Sequence, residues 1–254
     1  MKLWHRSLRR NTCATYHSAT TVSCSGLLLL RQFKKHPTFS CMNKNIADIR
    51  NDYRLFSLDE SNIAADPVTQ FSRWWNDAVN SEIFEVNAMT LSTATKDGKP
   101  SSRIVLLKDF DEKGFVFFTN YESHKGQQLA ENPFAALTFF WKEIERQVRI
   151  EGMAEKVESG ESDAYFASRP AGSRIGAWAS PQSIVIENRT ILENNVTYYE
   201  NEFKNSIPRP PHWGGYRVMP FKIEFWQGRS NRLHDRIQYT KTAEGSWKAE
   251  RLAP

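Results

Sequence analysis

A mainly β fold with peripheral helices, most simply a β-barrel, is what this 254-residue sequence predicts. Three observations carry the prediction. Five strand-like segments follow one another over residues 86–95, 101–108, 114–119, 135–141 and 147–157, divided by turn residues. Further strand patterns close the chain at 216–226, 235–240 and 246–251. Helical spacing of apolar residues occurs only around this run, at 67–80, 160–168 and 189–204. Consecutive antiparallel strands with helices kept to the outside favour a closed or partly closed sheet.

Taken in order, the chain starts with a leader, 1–41, and an arm, 42–66, before the domain proper at 67–254. Residues 1–47 contain no Asp or Glu and carry Lys2, Arg6, Arg9, Arg10, Arg31, Lys34, Lys35 and Lys44. A basic, Ser- and Thr-rich, acid-free leader predicts a mitochondrial transit peptide, while a start at Met42 would give a cytoplasmic protein. A secretory signal fits less well, because the apolar run 26–30 is short and follows a mixed stretch. The sequons at Asn188 and Asn195 would matter only in a secreted chain. In the arm, Ile46, Ile49 and Tyr53 point to a short helix. Asp66 then Pro67 reads as a helix cap and first helical residue, followed by Val68, Phe71, Trp75 and Ala78 on one face. Asp97-Gly98 is a hairpin turn between the first two strands. Val148, Ile150 and Gly152 alternate as a half-buried strand should, and Leu192, Val196, Tyr199 and Phe203 repeat at helical spacing.

Composition narrows the function. The whole chain has 34 Lys and Arg against 29 Asp and Glu, net +5. With the eight of residues 1–47 removed, 26 basic residues face 29 acidic ones, so residues 48–254 are net −3. That excludes a general nucleic-acid surface. Cys13, Cys24 and Cys41 all lie in the leader, which excludes a disulfide scaffold and a thiolate metal site in the domain. His124, His212 and His234 lack metal-ligand spacing, so no metal is predicted. No apolar run approaches the roughly 20 residues of a membrane span.

Cations nevertheless fall in unusual places. Arg103 and Lys108 bracket Ile104–Leu107; Ser123, His124 and Lys125 follow the strand ending at Thr119; Arg146, Gln147 and Arg149 sit in another strand. Singly, each is a solvated strand-end charge. Together they point to a polyanionic ligand, because phosphate is best held by converging Arg, Lys and hydroxyl donors. A second group, Arg169-Pro170-Ala171-Gly172-Ser173-Arg174 after Tyr165-Phe166, either holds a second phosphate or caps a helix. A third, 225–236, places Arg229, Arg232 and Arg236 with His234 and Asp235 behind an aromatic strand, a set hard to assign to a core.

These residues resemble, in order and spacing, the pyridoxine (pyridoxamine) 5′-phosphate oxidase family. The likeness runs from about residue 46 to 254. It rests on Arg103-Ile-Val-Leu-Leu-Lys108, Phe118-Thr119-Asn120, Arg146-Gln147-Val148, Tyr165-Phe166-x-x-Arg169-Pro170, Ile175-Gly176-Ala177-Trp178, Gln182-Ser183, Trp213-Gly214-Gly215, Phe225-Trp226-Gln227-Gly228, Arg232-Leu233-His234-Asp235-Arg236 and the terminal Arg251-Leu252-Ala253-Pro254. The resemblance implies an FMN-binding split barrel, a homodimer with FMN at its interface, and a small phosphorylated substrate. It implies FMN contacts at Arg103, Ile104, Val105, Leu106, Leu107, Lys108, Phe118, Thr119, His124, Lys125, Gln147, Gln182, Ser183, Trp226 and Arg236. Substrate contacts would be Lys108, Tyr165, Arg169, Ser173, Arg232 and His234, with a looser match in the arm at Arg50 to Tyr53. Arg232 and His234 would have the catalytic roles.

The sequence departs from the family at His124, where arginine is usual. A histidine is only partly charged at neutral pH, which predicts FMN binding that weakens above about pH 6.5. Two other readings compete. Another split-barrel flavoprotein with a different electron donor is opposed by Tyr165, Arg169 and the 232–234 segment. A non-catalytic module storing FMN or pyridoxal phosphate is left open by His124 and opposed by the same segment.

Overall fold

The computed structural model describes residues 45–204 and 206–254; the leader with its cysteines lies outside them. Residues 45–49 belong to a first compact unit and 50–254 to a second. In the first, Ile46–Asp48 forms one 3-10 turn, capped by the Asn45 side chain accepting from the Ala47 amide. The helical arm expected through Tyr53 is absent: beyond that turn the backbone is extended or irregular. The amides of Arg54 and Leu55 donate instead to the Glu145 carboxylate, at 2.9 and 3.0 Å, so a side chain takes bonds that a helix would have made internally.

The second unit is a nine-stranded, wholly antiparallel sheet with five helices. Helix α1, Pro67–Asn80, begins as predicted, with Asp66 accepting from the amides of Val68 and Thr69 and proline in the first turn. Strands β1 (Ala88–Ala94) and β2 (Pro100–Leu106) form the Asp97-Gly98 hairpin, in which Gly98 takes φ +83°. Strand β3 (Asp109–Asp111) and β4 (Gly114–Asn120) follow, then helix α2 (His124–Glu131), β5 (Phe134–Trp141) and β6 (Arg146–Lys156). Helices α3 (Ser159–Ser168), α4 (Ala171–Ala179) and α5 (Thr190–Glu202) precede β7 (Trp213–Gln227), β8 (Asp235–Lys241) and β9 (Trp247–Arg251).

The sheet runs β2-β1-β5-β6-β7-β4-β3, and β8 adds to β7 beside β9. Strand β7 organises it. Its first half pairs with β4 (Phe115↔Val218 to Asn120↔Trp213) and its second with β8 (Lys222↔Thr240 to Gln227↔Asp235). Strand β6 lies along both halves, with a register shift at Glu151/Gly152 where the sheet bends.

One face of the sheet is core. Phe71 of α1 is fully buried, with ring centroids 4.8–5.3 Å from Phe110, Phe115 and Phe139. Trp74, one turn on, meets Phe225 edge-on at 5.2 Å. Replacing Phe71 with Ala is expected to cost about 3–5 kcal/mol of stability by leaving a cavity, measurable by urea unfolding. The other face of the sheet carries Gln147, Trp226 and Arg236 in a single row, set by the register Gln147↔Trp226↔Arg236.

Candidate active site

A cavity of about 680 Å³ lies between the β2–β4 side of the sheet and helices α2, α3 and α4. Strand β2 and its end supply Ile104, Val105, Leu106 and Lys108; β4 supplies Phe118, Thr119 and Asn120. Lys125 of α2, Tyr165 of α3, and Arg169 and Pro170 beyond it complete another wall. Ser173, Gly176, Ala177 and Ser180 of α4 and its end follow at helical spacing, and Gln182 and Trp213 close the rim. Eleven of the sequence-predicted site residues meet here. Asn120, Pro170, Gly176, Ala177, Ser180 and Trp213 were not predicted as contacts, although Asn120, Pro170, Gly176, Ala177 and Trp213 stand in the motifs that carried the resemblance.

One end of the cavity, at Lys125, is cationic, and Arg103, outside the lining, adds its charge to it. Arg103 donates through Nη1 to the Leu91 carbonyl (3.3 Å) and the Thr93 hydroxyl (2.6 Å), and through Nη2 to the Ser101 hydroxyl (2.6 Å). Lys125 Nζ donates to Thr119 and Ser123 hydroxyls, each at 3.1 Å, and to Gln182 Oε1 at 2.7 Å. Burial, reinforced by the charge of Arg103, pushes the Lys125 ammonium down to about 8. Helix α2 starts here because Ser123 caps it, and Gly126 is required within it: a Cβ there would sit 2.1 Å from the Tyr121 carbonyl oxygen. His124 opens that helix, exposed, while Leu107, just past β2, is buried in the core and does not line the cavity. Ser183 is exposed with φ +72°.

The other end combines aromatic faces with a guanidinium. Phe118 stacks on Tyr165 at 4.0 Å and on Trp213 at 5.6 Å, and Arg169 lies 4.7 Å from the Trp213 ring centre. Arg169 Nη1 and, on the adjoining helix, Arg174 Nε are buried atoms with no hydrogen-bond partner. Burial lowers the Arg169 pKa. A desolvated donor with no acceptor, in a cavity that Ser173 and Lys108 also line, suits an anion.

Gln147, Trp226, Arg232, His234 and Arg236 do not line this cavity. They gather at the far end of β7, separated from Trp213 by about 40 Å of strand contour. His234 packs 4.5 Å from Trp226, and its Nδ1 accepts from the Arg229 amide at 3.0 Å. Burial, then the Arg232 charge, lowers its pKa, against a smaller opposing effect of Asp235. The neutral ring therefore carries its proton on Nε2. Arg232 is exposed and, with Asn231, adopts a left-handed backbone at φ +62° and +58°. The arm braces this loop: the Tyr53 ring lies 5.8 Å from Trp226, its carbonyl accepts from Ser230 Oγ, and Gly228 has no room for a Cβ against it. Arg236 is paired with buried Glu224 at 2.8 Å and with the Ala253 carbonyl.

Two cations expected at a ligand are structural instead. Arg146 is buried between Trp74 and Phe56 and satisfied by Asp77 and Gln227. Arg149 pairs with Glu151 and Glu224. Among the described residues no cluster of three His, Cys, Asp or Glu side chains could hold a metal, and no helix is long and apolar enough to cross a membrane.

Comparison with known proteins agrees with this geometry. Residues 76–202 match the family model described as pyridoxamine 5′-phosphate oxidase, and 213–254 that of the pyridoxine 5′-phosphate oxidase C-terminal dimerisation region. A pyridoxine/pyridoxamine 5′-phosphate oxidase of Nostoc punctiforme is 58% identical over 214 residues, covering 84% of this chain and all of the relative. One from Ralstonia pickettii is 58% identical over 210 residues, 83% of this chain and 99% of its own. Among solved structures, PhzG from Burkholderia lata in complex with tetrahydrophenazine-1-carboxylic acid is similar at TM-score 0.75 and 31% identity, covering 80% of this chain and all of that one. A pyridoxamine 5′-phosphate oxidase-related, FMN binding protein of Nostoc punctiforme, at TM-score 0.60 and 17% identity over 76% of this chain and all of that one, shares the fold. These matches overturn the mitochondrial address predicted from the leader, since the relatives are bacterial; basic composition alone carried that prediction. With both family models matched in tandem and more than half the residues identical along the relatives' whole length, the chain belongs to the pyridoxamine 5′-phosphate oxidase family of oxidoreductases.

Proposed function

We propose that the chain is an FMN-dependent oxidase converting pyridoxine 5′-phosphate and pyridoxamine 5′-phosphate to pyridoxal 5′-phosphate, with dioxygen as acceptor. Hydrogen peroxide is the by-product, and the amine also releases ammonia. The observation that carries this is a single cavity with cationic side chains at two places, Lys125, backed by the charge of Arg103, and Arg169, in the same lining as Ser173.

The donor set fits FMN. Arg103, Lys125 and the Ser123-capped start of α2 suit its phosphate, with His124 at the edge. Ile104, Val105 and Leu106 offer backbone and an apolar surface to its ring system. Bound there, the flavin would supply the redox chemistry, hydride transfer from C4′ and electron return to dioxygen. The protein contributes placement. Arg169, Ser173, Lys108 and Tyr165 hold the substrate phosphate, so that C4′ is presented in one orientation and the entropic cost of reaction falls.

Arg232 and His234 reach substrate from a second copy of the chain. The row Gln147–Trp226–Arg236 lies on the sheet face opposite the core, and residues 213–254 match a dimerisation region. Packing that face over a partner's cavity puts FMN at the interface and closes the site. His234, neutral with its proton on Nε2, then donates to a pyridine substituent, and Arg232 stabilises charge there.

Purified protein should be yellow, and its flavin absorbance should bleach when pyridoxine 5′-phosphate is added without oxygen. A colourless protein that cannot be reconstituted, or a yellow one that ignores substrate, would overturn the proposal. The pH dependence of FMN binding separates the two cations beside the phosphate. With Lys125 at about 8, the site is already protonated below that pH and loses affinity as pH rises through it. The empty protein shows the opposite sign: its Lys125 has released a proton that the unfolded chain keeps, so this group adds stability between pH 8 and 10.5. Fluorescence titration should show affinity falling above pH 8, and Lys125→Met should abolish that fall. A fall that persists in Lys125→Met would assign the dependence to a group other than Lys125.

A further inference from the structure

The two hydroxyls that hold Arg103 are themselves held by one amide. Gln128 of α2 is buried, 3% exposed, and its Oε1 accepts from Thr93 Oγ1 at 2.5 Å and from Ser101 Oγ at 2.8 Å. A hydroxyl has one proton. Once that proton is committed to Gln128, the oxygen is left as an acceptor, and each oxygen receives one Nη of Arg103, both at 2.6 Å. The result is a closed loop with a fixed direction: guanidinium to two hydroxyls, and two hydroxyls to one carbonyl oxygen. Thr93 lies on β1 and Ser101 on β2, so Gln128 joins both strands of the hairpin to the helix that carries Lys125 one turn earlier.

We infer that Gln128 is a positioning residue for phosphate binding: it sets the hydroxyl polarity that aims Arg103 at the phosphate end of the cavity. This rests on the reading of Arg103 as an FMN phosphate ligand. Without the amide oxygen, each hydroxyl can turn its proton toward the guanidinium, where it competes with the Nη donors. Arg103 then swings free. Buried networks of this kind fail as a unit, because every member depends on its neighbour's orientation. Gln128 is buried and does not line the cavity, so its effect on phosphate binding passes through Arg103.

The test uses the full chain stripped of flavin, titrated with FMN and with riboflavin, which lacks the phosphate. Gln128→Met keeps the length and removes the acceptor. It should weaken FMN binding about tenfold, the size of one lost charged hydrogen bond, and leave riboflavin binding unchanged. Thr93→Val, removing one of the two hydroxyls, should cost about threefold with the same selectivity for FMN. Arg103→Met should remove most of the preference for FMN over riboflavin, and adding Gln128→Met to it should cause no further loss. Equal weakening of both flavins by Gln128→Met would mean a merely structural role and overturn the inference. So would full FMN preference in both Gln128→Met and Thr93→Val while Arg103→Met loses it. If Arg103→Met itself keeps the preference, the fault lies with the phosphate assignment of Arg103.

Discussion

Replacing Arg232 with Ala is expected to lower kcat/KM for pyridoxine 5′-phosphate by about 10²–10³ while the protein stays yellow. Arg232 is exposed, at the end of a 3-10 turn, in a left-handed backbone conformation. Two consecutive non-glycine residues in that region cost roughly 1–3 kcal/mol each, and such strain persists only where surroundings impose it. Here they do. The Leu233 amide bonds the Ser230 carbonyl, the Arg229 amide bonds His234, and Arg229 reaches both Phe56 and Asp235. The loop is tied down on both sides of Arg232 while Arg232 itself is exposed, which is the arrangement expected of a group that meets its partner only when substrate arrives. Flavin content should be measured by absorbance and turnover by peroxide release. Wild-type turnover in the variant would remove Arg232 from the mechanism.

Arg169→Met should cost about as much by a different route. Its Nη1 is buried and unpartnered, and the guanidinium lies over Trp213, so methionine preserves the stacking body and deletes only the charge. Two charged hydrogen bonds of about 1.5–2 kcal/mol each correspond to roughly a 10²–10³ loss. The loss should appear in KM for the phosphorylated substrate, and the ratio of kcat/KM for pyridoxine 5′-phosphate over pyridoxine should collapse. A ratio equal to the parent's would show that phosphate is held elsewhere. Removing the unsatisfied donor should also leave the empty protein no less stable.

Much of this was readable from the residues. Asp66-Pro67 fixed the start of α1, and Asp97-Gly98 fixed the first hairpin, because both signals are local. Helix α2 was not predicted: its eight residues are mostly polar, Gly126 interrupts them, and the requirement for that glycine is the tertiary approach of Tyr121. Helix α4 was left open: 169–174 read either as a phosphate site or as a helix cap, and Pro170 does stand at the N-cap of α4 while Gly176 within it lines the cavity wall. Strand β3 is three residues long and exists only through its pairing with β4. At the site, charge and aromatic composition pointed to two phosphates but could not tell Arg146, enclosed by Trp74 and Phe56, from Arg169, left without a partner. That difference is made by residues distant in sequence. Gln128 carried no signal at all, since a buried amide is recognisable only from what surrounds it.

The length of β7 has a genetic consequence. One strand carries Trp213 at the cavity and Trp226 beside the Arg232–His234 loop; in the proposed dimer a single chain would own the two halves of different sites rather than both halves of one. Lesions in the two halves should therefore complement each other. In a mixed dimer of an Arg169 variant and an Arg232 variant, one site collects both defects and the other collects none. Random pairing of two inactive proteins would leave about a quarter of all sites intact. Two alleles, each null when alone, would then sustain one another in the same cell.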